Sequence, residues 1–295
     1  MSQPGRFTNE GSSNGHHQPA DLVAIDLHPA VPSHPGEPSI PSQRQADLPS
    51  VTLVIPAMNE ENNIAWVLNR VPSRVTEVIL VDAHSTDRTV ALAREARPDI
   101  VVVQQRGTGK GAALRSGFSR ATGDVIVMMD SDGSMEPTEI LNFVTAIEQG
   151  YEFVKGSRCV PGGSSADLTA IRRLGNRALT ASVNLLFLVP FSDLCYGFVA
   201  FRRDKLESLA LTAQGFEFET EIAIHAIKAG LRIAEVPSVE SPRRYGASNL
   251  RAIRDGQRVL RTIVRERLSQ RRRPIVDCFR PEDLHLDLGT VPIEL

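Results

Sequence analysis

The chain contains little cysteine. Only Cys159, Cys195 and Cys278 occur among its 295 residues, and no two of them form a CxxC pair. An odd number of scattered cysteines provides neither a disulfide framework nor the paired ligands of a structural zinc site. The composition therefore favours a reducing compartment, and we expect a cytoplasmic protein.

The sequence also lacks an excess of charge of one sign. Its 33 Lys and Arg residues are balanced by 35 Asp and Glu residues, which gives a formal net charge of -2. This balance removes the global electrostatic reason to expect nucleic acid as a partner.

Long apolar runs are absent too. A membrane-spanning helix needs roughly 20 apolar residues in succession. The longest candidate, residues 178–191, is shorter and is interrupted by Thr180, Ser182, Asn184 and Pro190. Because no basic start is followed by a long apolar stretch, we expect no secretory signal. The prediction is a protein that is soluble or peripheral on the cytoplasmic face of the membrane.

Composition divides the chain into four parts. Residues 1–48 are rich in Pro, Ser, Gln, Gly and His and carry one short apolar patch. Such a segment cannot bury enough surface to offset its ordering entropy, so we predict a disordered arm. A single α/β domain is predicted over 49–240, a loop with a basic helix over 241–270, and a C-terminal tail over 271–295.

Apolar segments alternate with helical segments after residue 50. Strands separated by helices of about ten residues indicate right-handed crossovers and a parallel sheet. The predicted fold class is therefore α/β, with a Rossmann-like, mostly parallel sheet flanked by helices. Strands are predicted at 51–56, 77–82, 100–105, 124–130, 152–156, 195–202 and 231–236, and helices at 60–71, 86–96, 109–121, 137–149, 169–188 and 217–229.

Two aspartates follow the most apolar of these strands. Five apolar residues, 125–129, run directly into Asp130, and Asp132 follows one position later. Ligands of open α/β sheets bind beyond the carboxyl ends of the strands, and Mg2+ or Mn2+ prefers carboxylate and phosphate oxygen. The pair therefore indicates a metal-bound diphosphate, and the alternative is two acids that merely solvate a turn.

Three further segments carry polar residues at strand or helix ends. Asn59, Glu60 and Glu61 stand where a helix should begin, and acids there also complement the helix dipole. Asp82 ends the second strand, where a carboxylate can accept the imide hydrogen of uracil or guanine. Lys110 lies among three glycines at a helix entrance, which suits an anion, although the spacing is not that of a Walker loop.

The order of these motifs carries a resemblance. Strand-Pro-Ala-x-Asn-Glu, strand-Asp-x-x-Ser-Thr-Asp, Gly-Lys-Gly-x-Ala-Leu and strand-Asp-x-Asp follow one another as in the family 2 glycosyltransferases of GT-A fold. The resemblance covers 51–268 and is strongest to the polyprenyl-phosphate (dolichyl-phosphate-like) mannosyl- and glucosyltransferases. It implies a nucleotide-sugar site and a divalent metal on Asp130 and Asp132. The implied donor-binding residues are Pro56, Ala57, Asn59, Glu60, Asp82, Lys110, Asp130 and Ser131.

The resemblance also implies an acceptor side. Residues 156–158 and 193–203 are similar to the family's GSR and D-x-x-x-GF-x-x-F-x-R segments, and 243–250 resembles a loop that closes over phosphate in relatives. Asp193, Glu219 and Glu221 are the implied catalytic candidates. The implied acceptor and phosphate ligands are Arg158, Arg172, Arg243, Arg244 and Ser248.

Some positions depart from the family pattern. Ala83 and His84 replace a usual Asp-Gly, which leaves the base of the donor open. The turn Gly133-Ser134-Met135 lacks the Gln common in the mannosyl relatives, so no third metal ligand is assigned.

A basic amphipathic helix is predicted near the C-terminus. Residues 242–273 hold eleven Arg against the two acids Asp255 and Glu266. The helix suits an anionic lipid surface, or equally a solvated outer face. It has no interleaved aromatic residues for base stacking, which argues against nucleic acid. One stripe carries Arg251, Arg254, Arg258, Arg261 and Arg265, and the other side carries Ile253, Val259, Leu260, Ile263 and Val264.

Taken with the resemblance, these features predict a metal-dependent inverting transfer of a hexose from a nucleoside diphosphate sugar to a lipid phosphate. A second interpretation is transfer to a glycan or small-molecule hydroxyl, which would need one of the three catalytic candidates as base. A third is a non-catalytic nucleotide-sugar or membrane-surface binding protein. The oligomeric state is not indicated, and a homo-oligomer stays open.

Overall fold

The structure describes most of the chain after the N-terminal segment. The computed structural model describes residues 48–248 and 250–269 and the backbone of 278–279. The predicted arm over 1–48 and tail over 271–295 lie outside these residues, apart from Leu48 and a two-residue strand at 278–279. The described residues belong to one unit.

This part of the chain contains ten strands and eight α-helices, among them three two-residue strands and one four-residue helix that the sequence does not predict. The strands are β1 Val51–Ala57, β2 Glu77–Asp82, β3 Val101–Gln104, β4 Val125–Met128, β5 Phe153–Ser157, β6 Ser164–Ser165, β7 Val199–Arg202, β8 Ile233–Pro237, β9 Val239–Glu240 and β10 Cys278–Phe279. The α-helices are α1 Ile64–Asn69, α2 Thr89–Ala96, α3 Lys110–Phe118, α4 Ile140–Glu148, α5 Ala170–Phe187, α6 Leu206–Leu209, α7 Phe218–Lys228 and α8 Ala252–Leu268.

Eight of these strands form one sheet in the order β10-β8-β5-β7-β4-β1-β2-β3. All neighbours are parallel except those of β7, which runs antiparallel between β4 and β5. In the register of β1 and β2, Ala57 pairs with Asp82, so these strands end side by side. The carboxyl ends of β1, β2 and β4 thus form one edge, and this edge carries the predicted motifs. The predicted α/β fold class is confirmed.

The predicted strand 195–202 is shorter in the structure. Only Val199–Arg202 pairs as β7. Side chains satisfy part of the preceding backbone instead, because the Cys195 N–H donates to Asn176 Oδ1 at 3.0 Å and the Leu194 N–H donates to Thr180 Oγ1 at 3.2 Å. The segment before β7 is therefore a loop, free to carry site residues.

Helices cover both faces of the sheet. Helices α1, α2 and α4 bury apolar residues on one face, and α3, α5, α7 and α8 bury theirs on the other. No helix in the described residues is long and apolar enough to cross a bilayer.

Helix α8 buries only part of its predicted apolar side. Val259 and Ile263 pack into the core, whereas Ile253, Leu260 and Val264 remain exposed at 78%, 47% and 47%. At 100° per residue these three lie between the buried side and the arginine stripe. The helix therefore presents apolar and basic side chains to its outer surroundings side by side.

Helix α3 lies unusually close to the sheet at Gly117. A Cβ atom there would stand 2.4 Å from Val54 Cγ1 and 2.8 Å from Val81 Cγ2. Since both valines belong to central strands, the core has no room for even a methyl group at this position.

We expect Gly117→Ala to lower the free energy of unfolding by about 1–3 kcal/mol through overpacking. Gly175→Ala, in helix α5 with nothing within 4 Å of its added Cβ, is the matched control. It should raise stability by roughly 0.5–1 kcal/mol, because alanine is the better helix former. Urea unfolding of the two variants checks this, and equal stabilities would contradict the close packing of α3.

Candidate active site

Two cavities adjoin at the carboxyl edge of the sheet. The first has a volume of about 400 Å³ and is lined by the ends of β1 and β2 and by the loop before α3. The second has a volume of about 550 Å³ and extends between α5 and α8. The residues common to both linings are Lys110, Asp130, Asp132, Phe216, Arg243 and Ser248.

Lys110 joins two of the predicted acids. Its Nζ lies 2.6 Å from Asp130 Oδ1 and 2.7 Å from Glu219 Oε1. Burial alone would lower the pKa of Lys110, but the two carboxylates outweigh it and raise that pKa above its ordinary value. Burial raises the pKa of Asp130 to about 6, with Lys110 acting in the opposite direction. The ammonium therefore stays charged and is shared by two acids.

Gly197 makes room for this ion pair. A Cβ atom at Gly197 would lie 2.7 Å from Glu219 Oε1 and 2.9 Å from Lys110 Nζ. The absence of a side chain here lets the loop before β7 pass directly beside the pair.

Arg243 joins the other two acids. Its Nη1 donates to Asp132 Oδ2 at 3.1 Å, and its Nη2 donates to Glu60 Oε1. Asp132 Oδ1 accepts from the backbone and hydroxyl of Ser134, at 3.0 and 2.7 Å. Burial raises the pKa of Glu60, which hydrogen bonds from Asn63 and Arg243 oppose.

Some of the predicted donor-binding residues line the first cavity, and others hold the loop beside it. Pro56, Ala57 and Glu60 line the first cavity, as does Ser131, whose Oγ donates to Pro56 O at 2.9 Å. Asp82 does not line it.

Asp82 and Asn59 brace the loop beyond β2. Asp82 accepts from the Ser85 N–H at 3.1 Å and from Gln104 Nε2 at 2.9 Å. Asn59, with a left-handed φ of 58°, accepts from the Thr86 N–H at 2.8 Å. Ala83 and His84 face the cavity from this loop.

In the glycine-rich loop, Lys110 is available to bind an anion, whereas two of the backbone N–H groups are not. The N–H groups of Gly111 and Ala112 donate to the Gln214 carbonyl at 2.8 and 3.3 Å. These two donors of the α3 N-terminus are therefore occupied, so the predicted anion at this entrance has Lys110 as its partner.

Asp193 lies behind the second cavity and binds Arg158. Its carboxylate is fully buried and accepts from Arg158 Nε at 2.7 Å and Nη2 at 3.0 Å, and from Asn176 Nδ2 at 2.8 Å. Burial would raise the pKa of Asp193, but the bonds from Arg158 outweigh it and lower that pKa. Arg158 lines the cavity and Asp193 does not. The aspartate thus positions the arginine.

The remaining candidates separate as well. Glu219 lines the second cavity, but Glu221 is fully buried and accepts from the N–H groups of Thr212 and Ala213 at 2.9 and 2.8 Å. Arg172 lines the cavity, with Asp167 at 3.3 Å. Arg244 stacks on Trp66, 4.5 Å from the ring centroid, and lies outside both linings.

Comparison with known proteins identifies the family. The model of the family described as glycosyl transferase family 2 matches residues 52–210. The chain belongs to glycosyltransferase family 2. Its sequence is 33% identical over 210 residues to glycosyltransferase AglJ of Haloferax volcanii, covering 70% of this chain and 68% of that protein. It is 34% identical over 211 residues to polyprenol monophosphomannose synthase of Mycolicibacterium smegmatis, covering 67% and 80%.

More distant comparisons agree. Dolichol-phosphate mannosyltransferase of Pyrococcus furiosus is 30% identical over 210 residues, which cover 68% of this chain and 59% of that protein. The fold is similar to glucosyl-3-phosphoglycerate synthase of Mycobacterium tuberculosis, solved with Mn2+, UDP-glucose and phosphoglyceric acid. That similarity has a TM-score of 0.62 at 24% identity and covers 76% of this chain and 82% of that one. The predicted GT-A fold and glycosyltransferase activity are confirmed.

Sequence reasoning missed several residues of this family 2 glycosyltransferase site. Phe216 lines both cavities, and Glu240 accepts from Arg158 Nη1 at 3.1 Å. Asn176 fixes Asp193 from α5. The sequence offers a signal only for Glu240, which shortly precedes the loop 243–250.

Glu235 anchors the loop that carries Asp193. It accepts from the Ser192 N–H and Oγ at 2.9 and 2.8 Å and from the Asp193 N–H at 3.3 Å. Burial raises its pKa from an ordinary 4.5 to about 7, although these hydrogen bonds and Lys155 act against the rise. Because the folded pKa lies above the unfolded one, ionisation of Glu235 opposes folding as the pH rises.

We expect Glu235→Gln to gain stability relative to the glycosyltransferase with native Glu235 as the pH rises from 5 to 8. The difference should be on the order of 3 kcal/mol, since the native stability contribution is full below pH 4.5 and is lost as the pH passes 7. Urea unfolding at several pH values measures it. The exposed Glu207→Gln control should follow the native profile, and parallel profiles for Glu235→Gln would refute the raised pKa.

Proposed function

We propose that this family 2 glycosyltransferase transfers a hexose, with inversion, from a nucleoside diphosphate sugar to a polyprenyl phosphate, with a divalent metal ion. The observation that supports this most is the junction of the two cavities at Lys110, Asp130 and Asp132. A donor in the first cavity would present its diphosphate where an acceptor in the second could reach the sugar.

The first cavity suits a nucleoside diphosphate. Pro56 and Ala57 offer an apolar wall for a base and ribose, and Lys110 offers a cation for phosphate. We assign Asn59 and Asp82 to bracing the loop that carries His84. Neither base nor sugar is specified by these contacts.

Asp130 and Asp132 fit a divalent cation by the chemistry of their oxygen atoms, since Mg2+ and Mn2+ prefer carboxylate and phosphate ligands. When bound, the ion would neutralise charge on the leaving diphosphate. The Mycobacterium tuberculosis synthase, whose structures contain Mn2+ or Mg2+ with UDP, supports this choice of metal.

The second cavity suits a lipid phosphate. Arg158, Arg172 and Arg243 line it. Asp193 and Glu240 already occupy the Arg158 guanidinium. We therefore assign bidentate phosphate binding to Arg172 and Arg243 and the positive charge behind them to Arg158. A phosphate monoester with a second pKa near 6 is largely dianionic at neutral pH, so it needs no general base. Relatives named for mannosyl transfer to polyprenol, dolichol and undecaprenyl phosphates support this acceptor. The apolar lining residues are Met135, Leu168, Ile171, Leu179, Pro242, Leu250, Ile253 and Val259.

The helices beside this cavity suit the surface of an anionic membrane. An acceptor with a polyprenyl chain resides in a bilayer, and the cavity extends between α5 and α8. Both helices expose apolar side chains next to arginines. We therefore propose that the enzyme acts at the cytoplasmic face of the membrane. The most exposed apolar residues are Ile171, Leu174, Leu185, Leu188, Ile253 and Leu268, at 74%, 71%, 77%, 76%, 78% and 82%.

A hydroxyl acceptor is the alternative that one observation favours. Among the three candidate bases, Glu219 lines the second cavity. A sugar hydroxyl there would require this carboxylate as general base, beside its bond to Lys110.

The metal pair gives the test of the proposed reaction. With UDP-, GDP- and dTDP-sugars, Mg2+ or Mn2+ and a short-chain prenyl phosphate, we expect one donor to support transfer. Asp130→Asn or Asp132→Asn should reduce it by about 100-fold or more, because the charge that binds the metal is lost. The fold should persist, because Lys110 still has Glu219 as a partner and Ser134 can still donate to the amide oxygen at position 132.

Asp124→Asn is the matched control. Asp124 is an exposed acid that precedes β4, and its carboxylate accepts from the Ser50 N–H at 2.9 Å. Native rates with either substitution in the pair would exclude the metal hypothesis. Transfer to free hydroxyl acceptors but to no prenyl phosphate would select the alternative.

The membrane proposal has its own test. The triple variant Ile253→Gln, Leu260→Gln and Leu268→Gln should bind phosphatidylglycerol vesicles about ten-fold or more weakly, because each inserted side chain contributes on the order of 1 kcal/mol. Sedimentation with vesicles measures binding. Leu141→Gln, at 44% exposure on the opposite face, should leave it unchanged. Equal vesicle binding by all forms would show that α8 has a structural role and does not insert into the membrane.

A further inference from the structure

Arg243 bridges one acid of the metal pair and one acid of the donor cavity. Its guanidinium bonds to Asp132 Oδ2 at 3.1 Å and to Glu60 Oε1. The three side chains are 19%, 18% and 8% exposed, so water screens the contact only in part. One arginine is thus shared by two carboxylates.

This contact competes with a cation on Asp132. One oxygen of Asp132 accepts from Ser134 and the other accepts from Arg243. A divalent ion on this carboxylate would stand beside a guanidinium of like charge, which costs energy in a partly buried site.

We propose that Arg243 is a displaceable counter-ion for Asp132. A divalent cation on Asp132 would compete with the guanidinium, and loss of the guanidinium contact would release the loop 242–248 from Asp132. This inference rests on the proposed function, because it requires the divalent metal site on Asp130 and Asp132.

Loss of this contact would affect the loop, because residues 243–245 are all bonded to this region of the site. Arg243 Nε donates to Tyr245 O at 2.9 Å, and Asn63 Nδ2 donates to the same oxygen at 3.2 Å. The Arg244 N–H donates to the Asp132 carbonyl at 3.3 Å. Arg243 and Arg244 are thus bonded to Asp132 of the metal pair, and Tyr245 is bonded to Asn63, the residue that precedes α1.

The same loop forms part of the acceptor wall. Pro242, Gly246 and Ser248 line the second cavity, and Arg243 lines both. A guanidinium expelled from Asp132 remains beside the junction, where a phosphate can accept its hydrogen bonds. Displacement would therefore convert a partner of the empty acids into a ligand for substrate.

Lys110 does not share this role, although it also contacts an acid of the metal pair. It belongs to helix α3 and lies between Asp130 and Glu219 at 2.6 and 2.7 Å. The packing of α3 against β1 and β2 fixes its backbone. Arg243 is the cation that can leave.

Binding of Mn2+ alone, followed by electron paramagnetic resonance of the free ion, tests the competition. Arg243→Gln should bind Mn2+ roughly ten-fold more tightly than the native enzyme, the scale of one lost charge-assisted hydrogen bond. Arg243→Lys keeps the charge and should fall between them. Arg244→Gln is the control, because Arg244 contacts Trp66 and not an acidic side chain. Unchanged or weaker binding by Arg243→Gln, or no Mn2+ binding by any form, would overturn the inference.

Movement of the loop has a built-in reporter. Trp66 is the single tryptophan of the chain, and the Arg244 guanidinium lies 4.5 Å from its ring centroid. Addition of Mg2+, which does not quench, should shift the emission of the native enzyme. Arg243→Gln should show much of that shift before any metal is added, and Asp132→Asn should not respond.

Saturation by metal without a change in Trp66 emission would show that the loop stays in place and would overturn the inference. Failure of glycosyl transfer has a different meaning. If both metal responses occur but no donor and acceptor pair reacts, the proposed substrates are wrong and the role of Arg243 stands.

Discussion

Uncompensated negative charge is the constraint on which this site depends. Glu60, Asp130, Asp132 and Glu219 meet where the two cavities join, and in the described part of the chain their cationic partners are Lys110 and Arg243. Each partly buried carboxylate without a full partner costs desolvation energy. The raised pKa values of Asp130 and Glu60 express that cost. Four acids against two cations leave an excess of negative charge, which supports the proposed divalent cation at this site.

The fold can hold these charges because its strands are buried on both faces. Residues 125–128 of β4 are fully enclosed by helices of both layers, and the chain meets water only after Met129. This is why the sequence predicts the position of Asp130 and Asp132 so directly. A short apolar run between Gly123 and Gly133 favours a strand buried on both faces, and the carboxyl end of such a strand lies at the edge of the sheet. The parallel order of β1, β2 and β4 follows from the same alternation.

The contacts between distant segments cannot be predicted in this way. Arg158 and Asp193 meet from either side of helix α5, and Lys110 meets Glu219 across 109 residues. Motif likeness marks Asp193 as functional, but it does not tell whether the carboxylate faces the cavity or braces an arginine behind it. The insertion of antiparallel β7 between β4 and β5 creates that geometry, and its short paired length gives a weak periodic signal. Helix geometry is more informative for Glu219 and Glu221, because residues two apart on the predicted helix point about 200° from each other. Helix α7 accordingly turns Glu219 to the cavity and Glu221 to the loop 212–213.

The arrangement of charges also bears on the choice of acceptor. Glu219, the candidate base that lines the acceptor cavity, is bonded at 2.7 Å to the buried ammonium of Lys110. A hydroxyl acceptor would have to share this carboxylate with Lys110. A phosphate acceptor arrives already ionised, gains from the arginines around it, and leaves the Lys110 pair intact. The arginines of the second cavity and the bond between Glu219 and Lys110 therefore support the proposed anionic acceptor, independently of any similarity to other proteins.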